Sequence, residues 1–233
     1  MRLTLFLLVI LCSVSISHGQ KITINVNQDS VTFSANGEFV SYPYKIRNDD
    51  VEDVYVIWKK GYVNQGFIYN DIAQKGRKTH AIELERINFL EQDYDSKIIV
   101  MHAVEDKSVM RRISERIYSD PFILQQLKER LVSFGYTNTV VANSNEAKDA
   151  QLKIAADIVE FSKNTKGGYF QVSILVTWSV YNVLEDKLVL QVKTAGYSNT
   201  ESVFIKDLSY ALRNSLIGLM SNTDFQTLAE QTN

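Results

Sequence analysis

The stretch Val172–Val192, VSILVTWSVYNVLEDKLVLQV, decides how we interpret the fold. Apolar side chains alternate with mostly polar ones up to Val180, give way to the segment VLEDK, and alternate again from Leu188. Because successive side chains of a strand point to opposite faces, this pattern predicts an antiparallel hairpin with one buried face and one mostly solvent-exposed face. We therefore interpret the stretch as scaffold rather than as a catalytic site.

The segments on either side of the hairpin predict helices that can cover it. SDPFILQQLKERLVSFGY has Asp120 as a favourable N-cap, Pro121 at the first helical position and Gly135 after the last turn. Apolar residues at helical spacing predict a second helix over 203–219, and TDFQTLAEQ predicts a short third one capped by Thr223. KIIVMHAV, TVVAN and AQLKIAADIVEF have the composition of strands.

The first half of the chain is rich in strand patterns. KITINVN alternates, and VTFSANGEFVSY contains Asn36-Gly37, a strong hairpin signal. Aromatic and β-branched runs follow, with breaks expected at Gly61 and near Gly66. THAIELERINFLEQ fits a strand or a helix, so we leave it unassigned.

These patterns predict an α+β fold: a β-rich N-terminal half, then an antiparallel sheet covered on one face by helices. We divide the chain into a signal peptide (residues 1–19), a β-rich N-terminal region (20–95) and an α/β sandwich-like domain (96–233).

The N-terminus has the features of a secretory signal peptide. Arg2 precedes a mostly apolar run, Leu3–Leu11, and the small residues Ser17 and Gly19 precede Gln20. The only cysteine, Cys12, lies inside this run and follows a leucine, whereas a lipoprotein signal has a small residue there. We therefore expect an exported, disulfide-free protein, periplasmic or outer-membrane-associated in a bacterium.

Charge argues against a nucleic-acid partner, and hydropathy argues against a membrane-spanning segment. The formal net charge is −2, and no basic run of the kind that binds nucleic acid occurs. After the signal, no apolar run is long enough for a transmembrane helix. We therefore expect no nucleic-acid partner and no transmembrane segment in the mature chain. The expected partner, on the separate grounds given below, is another envelope protein or a glycan.

No motif predicts a catalytic, cofactor or metal site. GYSNT, at Gly196, lacks the second glycine of a serine-hydrolase elbow. His80 and His102 are too few for a typical zinc site, and the acidic EQDYDS lacks the glycine of a calcium loop. Glu83 and Glu85 could act as an acid–base pair, but nothing distinguishes them from a polar face. We expect no enzyme activity and no cofactor.

The most suggestive feature is an aromatic cluster between residues 39 and 69. Eight aromatic residues occur there, where an aromatic content of 11% predicts about three. Such side chains stack on sugars and anchor partners, but they also fill small cores, and both interpretations stay open. The candidate binding face consists of Tyr42, Tyr44, Tyr55, Trp58, Tyr62 and Tyr69.

The second half, about residues 96–233, resembles a family of small bacterial envelope α/β domains. The resemblance depends on DPFILQQLKERLVSFGY, AQLKIAADIVEF, VSILVTWSVYNVLEDKLV and LSYALRNSLIGLM. Such domains occur in outer-membrane-linked accessory lipoproteins, including peptidoglycan-synthase activators, and attached to periplasmic trypsin-like proteases. The resemblance implies a non-catalytic binding or assembly module for another envelope component. A glycan-binding module using the aromatic face is the alternative, followed by an envelope hydrolase.

Export should remove residues 1–19, because small residues stand at the two positions that signal peptidase recognises. The intact mass of the exported protein should correspond to a chain that begins at Gln20. A full-length mass, or a lipid adduct on Cys12, would contradict this prediction.

Overall fold

The computed structural model describes residues 21–35, 38–40, 44–46, 54–73, 78–89, 94, 98–103, 121–142, 149–200 and 203–231. The first half contains β1 (Ile22–Val26), β2 (Thr32–Ala35), β3 (Glu38–Val40), β4 (Lys45–Ile46), β5 (Val54–Trp58), β6 (Gln65–Ile68), the one-turn helix α1 (Tyr69–Ile72) and β7 (Thr79–Ile82). The second half contains β8 (Ile98–Ala103), α2 (Pro121–Val132), β9 (Thr139–Val141), β10 (Leu152–Lys166), β11 (Tyr169–Asn182), β12 (Lys187–Ser198), α3 (Phe204–Met220) and α4 (Thr223–Gln231).

The largest sheet has five strands in the order β12-β11-β10-β8-β9. Its three long strands are antiparallel, whereas β8 pairs in parallel with both β10 and β9. Gly167 and Gly168, both with positive φ, form the two-residue turn between β10 and β11. Helices cover one face of this sheet, so the predicted α+β fold class is confirmed.

The helical face of β11 is the centre of the main core. Val172, Ile174, Val176, Trp178 and Val180 are fully buried and belong to one cluster with side chains of α2 and α3. The indole N–H of Trp178 donates to Thr194 Oγ1 at 2.8 Å, which satisfies its only polar group. At Gly196 a Cβ atom would overlap the backbone carbonyl of Ala211, so glycine lets α3 lie directly on β12.

The opposite face of β11 differs from the sequence expectation. Ser173 and Leu175 were expected on a mostly solvent-exposed face, but they are only 0% and 1% exposed. A second sheet, with the order β3-β2-β5-β6, packs there and places Val54 and Val56 in a cluster with Leu175 and Ala195. The expectation was wrong because periodicity shows which residues share a face, not which distant segment covers it.

Gly66 fixes how closely these two sheets approach. We expected a break near this residue, but it lies inside β6. A Cβ atom at Gly66 would lie 2.5 Å from both Ala195 Cβ and Leu175 Cδ2. Two polar contacts also cross the interface: the hydroxyls of Ser34 and Ser173 are 3.2 Å apart, and Val54 N–H donates to Ser162 Oγ at 2.7 Å.

A third, small sheet covers the other side of the second one. Its order is β4-β1-β7, with β1 antiparallel to β4 and parallel to β7. Ile22 and Ile24 pack in one cluster with Phe33 and Tyr55, and Tyr55 stacks on Phe67 with ring centroids 5.4 Å apart. Much of the predicted aromatic cluster therefore fills this core.

The structure agrees with the local predictions for the β2–β3 pairing and the end of α2, but differs at Leu188. Strands β2 and β3 pair antiparallel on either side of the predicted Asn36-Gly37 turn, whose residues lie outside the described part, as does Asp120. Gly135 has φ +91° and follows α2, as predicted. The alternation that begins at Leu188 predicts that its side chain is buried, but this is wrong: Leu188 is 42% exposed beside the hairpin loop.

Two further local details concern β7 and α4. The unassigned segment THAIELERINFLEQ begins as strand β7, which pairs with β1. The predicted cap of α4, Thr223, is corrected to Asn222, whose Oδ1 accepts from Phe225 N–H at 3.0 Å.

The substitution Gly66→Ala should destabilise the protein by about 1–3 kcal/mol, because the added methyl group overlaps two buried neighbours across the sheet interface. Urea unfolding measures this loss. The double variant Gly66→Ala/Ala195→Gly removes one of the two overlaps and should unfold at a higher urea concentration than Gly66→Ala. Additive losses in the double variant would contradict the described interface.

Candidate functional site

A groove of about 490 Å³ opens where the two larger sheets and the helices meet, and Ile87 of the segment after β7 also lines it. The β5–β6 turn, the end of β12 with the loop after it (the floor of the groove), and side chains of α2 and α3 line it. The groove therefore lies at the joint between the second sheet and the helix-covered sheet. A concavity of this size and place is typical of a binding site for a small ligand.

Aromatic rings form much of the wall. Trp58, at the end of β5, stacks on Tyr197 of β12 with ring centroids 4.8 Å apart and planes inclined by 18°. Tyr62 follows in the turn, where Lys59 Nζ lies 5.4 Å from its ring centroid. Tyr210 of α3 also lines the groove. These rings offer apolar surface next to polar groups.

The charged side chains of the lining are basic. Lys59 and Lys60 come from the β5–β6 turn, Arg130 from α2 and Arg213 from α3. Among the described residues that line the groove, none is an aspartate or a glutamate. Burial, and secondarily the nearby charge of Arg213, lower the pKa of Arg130.

A buried carboxylate holds the floor in place. Asp207 of α3 accepts hydrogen bonds from Ser198 Oγ at 2.6 Å and from Thr200 N–H at 2.9 Å. Asn214 Nδ2 donates to the carbonyl of Tyr197 at 2.9 Å. Burial, and secondarily Asp207, raise the pKa of the Tyr197 hydroxyl above its usual range. These contacts tie the end of β12 to α3.

The six aromatic candidates do not share one surface. Tyr55 and Tyr69 are buried in the core of the first half. Trp58 and Tyr62 line the groove but are also partly buried, Tyr62 against that core and Trp58 against the interface of the two larger sheets. Tyr44 is partly buried against that same core, and Tyr42 lies outside the described residues. Burial favours the core interpretation for Tyr55 and Tyr69, while a binding role for Trp58 and Tyr62 stays a prediction.

Among the other candidates in the described part of the chain, Ser198 lines the groove, whereas His80, Glu83 and Glu85 do not. His80 packs 5.9 Å from the ring of Phe67, and Glu83 and Glu85 are exposed. The acidic residues of EQDYDS and the side chain of His102 lie outside the described part. Within the described residues, no three metal-ligating side chains come together. Ser198, the candidate of GYSNT, donates its hydroxyl proton to Asp207.

Sequence reasoning missed the two arginines of the groove. Arg130 and Arg213 lie on separate helices, and each resembles an ordinary charge on the polar side of an amphipathic helix. No spacing in the sequence connects them. The one available signal is the aromatic content near Trp58, which indicates one wall of the groove but not the other.

Comparisons with known proteins give a partial structural likeness. No family model matches the chain, and no curated protein sequence matches it significantly. A PelC dodecamer from Paraburkholderia phytofirmans is 13% identical, with a TM-score of 0.37, over 57% of this chain and 91% of PelC. A putative lipoprotein from Caulobacter crescentus is 12% identical, with a TM-score of 0.30, over 57% of this chain and 89% of its own.

A minor lipoprotein from Acinetobacter baumannii is also similar, at 12% identity and a TM-score of 0.25, over 58% of this chain and 94% of its own. Bacterial lipoproteins are thus among the structures to which part of this chain is similar. The likeness to peptidoglycan-synthase activators and protease-attached domains stays a prediction. In the described part of the chain, no helix is both long and apolar enough to span a membrane.

Asp207→Ala should cost about 2–4 kcal/mol, because it removes the acceptor of two hydrogen bonds at the end of β12. Asp207→Asn retains an oxygen acceptor and should cost less. Asp224→Ala, at an exposed position in the first turn of α4, is the control and should cost under about 1 kcal/mol. Thermal unfolding measures all three, and equal losses for Asp207→Ala and Asp224→Ala would contradict the assigned role.

Proposed function

We propose that this chain is an exported, non-catalytic binding module of the bacterial envelope and that the groove between the sheets is its ligand site. The N-terminal signal features support export. The observation that carries the proposal is the lining of the groove, where aromatic rings, amides and basic side chains converge at the joint of the fold.

The chemistry of the lining suits binding better than hydrolysis. A serine nucleophile needs a base that removes its proton, usually a histidine oriented by a third group. Ser198 instead donates to Asp207, and that carboxylate also accepts from the backbone of Thr200. Both residues therefore serve to hold the floor of the groove.

A glycan is the envelope component that the groove favours. Sugar rings have apolar faces that stack on aromatic side chains and hydroxyls that pair with amide and basic groups. Trp58 and Tyr62 supply the rings, and Asn64 and Asn199 are among the polar groups. A volume of about 490 Å³ suits a few sugar units, whereas a stable protein interface usually needs a broad surface on each partner.

Trp58→Ala should weaken binding of a short oligosaccharide about tenfold, because it removes the largest ring of the wall. Isothermal titration of a panel that contains chitotetraose, cellotetraose and trigalacturonate would measure this loss. Tyr169→Ala is the matched control, since Tyr169 is 52% exposed and lies at the β10–β11 turn.

Circular dichroism establishes that each variant is folded before titration. The proposal predicts that at least one member of the panel binds the unmodified protein, that Trp58→Ala weakens it and that Tyr169→Ala does not. Equal affinity in folded Trp58→Ala, or no binding of any member to the unmodified protein, would contradict a glycan site in this groove.

A further inference from the structure

Two arginines approach each other on one side of the groove without a described acidic partner. Arg213 Nη1 donates to Gln126 Oε1 at 3.4 Å. Gln126 and Arg130 are four residues apart on α2, so their side chains are neighbours on one face of that helix. The contact with Gln126 therefore brings Arg213 beside Arg130, and the charge of Arg213 is near enough to lower the pKa of Arg130.

The guanidinium of Arg130 is incompletely satisfied. Its Nε–H is buried and has no hydrogen-bond acceptor among the described residues. The guanidinium group packs on the ring of Phe134, and its carbon lies 4.4 Å from the ring centroid. Two like charges held close together, one of them partly desolvated, destabilise the empty groove, and an anion bound between them would remove that cost.

The β5–β6 turn adds further positive charge to the lining of the groove. Lys59 Nζ is held at 2.8 Å by the carbonyl of Asp29, so its charge is fixed in position beside Tyr62. Lys60, in the same turn, is exposed. An acidic ligand would therefore meet positive charge from the turn as well as from the helices, whereas a neutral one would share the groove with four cations that form no described ion pair.

We propose that Arg130 and Arg213 form an anion subsite, and that the groove selects glycans whose sugars carry a carboxylate or a phosphate. Guanidinium groups bind such planar or multidentate anions through paired N–H donors, while Trp58 stacks on the adjacent ring. This inference rests on the proposed glycan function and adds the ligand class. An acidic peptide and a free inorganic anion are the competing occupants.

The test compares acidic ligands with neutral counterparts built on the same sugar rings. Trigalacturonate carries a carboxylate on each sugar, and its methyl ester has the same rings without the charge. Glucose 6-phosphate and glucose form the corresponding phosphate pair. Inorganic phosphate and a tetraglutamate peptide represent the competing occupants. Titration calorimetry at low and moderate salt should show one acidic sugar binding at least about tenfold more tightly than its neutral partner, less so at higher salt.

Variants assign that preference to the arginines. Arg213→Gln and Arg130→Gln should each reduce the ratio of acidic-sugar affinity to neutral-sugar affinity roughly tenfold, because each removes charged hydrogen bonds. Arg130→Lys keeps the charge and should retain part of it. Lys187→Gln, at an exposed position in the β11–β12 hairpin, is the matched control and should leave it unchanged.

The melting temperature of the ligand-free protein distinguishes charge repulsion between the arginines from a purely structural role of Arg213. Removing one of two like charges should leave the melting temperature of Arg213→Gln unchanged or slightly raised, whereas loss of a structural contact would lower it. Retention of the full charge preference in folded Arg213→Gln and Arg130→Gln would overturn the inference.

The ligand results separate this inference from the proposed function. If the acidic and neutral sugars bind equally and both depend on Trp58, the glycan site stands and the anion subsite fails. If only inorganic phosphate or the peptide binds, acidic-glycan selection is overturned. If no sugar of the panel binds the unmodified protein, both proposals fail.

Discussion

The close contact between the two larger sheets at Gly66 is the constraint on which the rest of the structure depends. The missing side chain lets Ala195 and the tip of Leu175 approach the backbone of β6. Because that contact fixes the distance between the sheets, it also fixes where the β5–β6 turn stands relative to the end of β12. A wider separation would pull Trp58 away from Tyr197 and open the wall of the groove.

A second close contact positions the helical side of the groove. Glycine at residue 196 lets the backbone of α3 lie directly on β12, and Asp207 then reaches Ser198 and the loop beyond it. This brings Arg213 toward Arg130 on α2. The basic side chains of the groove are therefore held near one another by apolar packing and buried hydrogen bonds elsewhere. Holding like charges together lowers the stability of the fold, as is typical of functional sites.

The elements were predictable from the sequence, but their arrangement was not. Alternation in β11 and the apolar spacing of α3 depend on local periodicity, which one sequence records. The second sheet can dock on Leu175 because residue 66 is a glycine, which resembles a loop signal in the sequence. Its packing role is recognisable only once Ala195 is known to lie beside it. For the same reason Trp58 was found as a candidate from composition, whereas the pairing of Arg130 with Arg213 was not.

The two tryptophans allow the most direct measurement of the central claim, that an acidic glycan occupies this groove. Trp58 lines it, whereas Trp178 is buried in the main core with its indole N–H bonded to Thr194. In a nitrogen-15 NMR titration with trigalacturonate, the account predicts that the indole signal of Trp58 and the Nε signals of Arg130 and Arg213 shift together, while that of Trp178 stays in place. Unchanged Trp58 and arginine signals at a ligand concentration that saturates binding would contradict it.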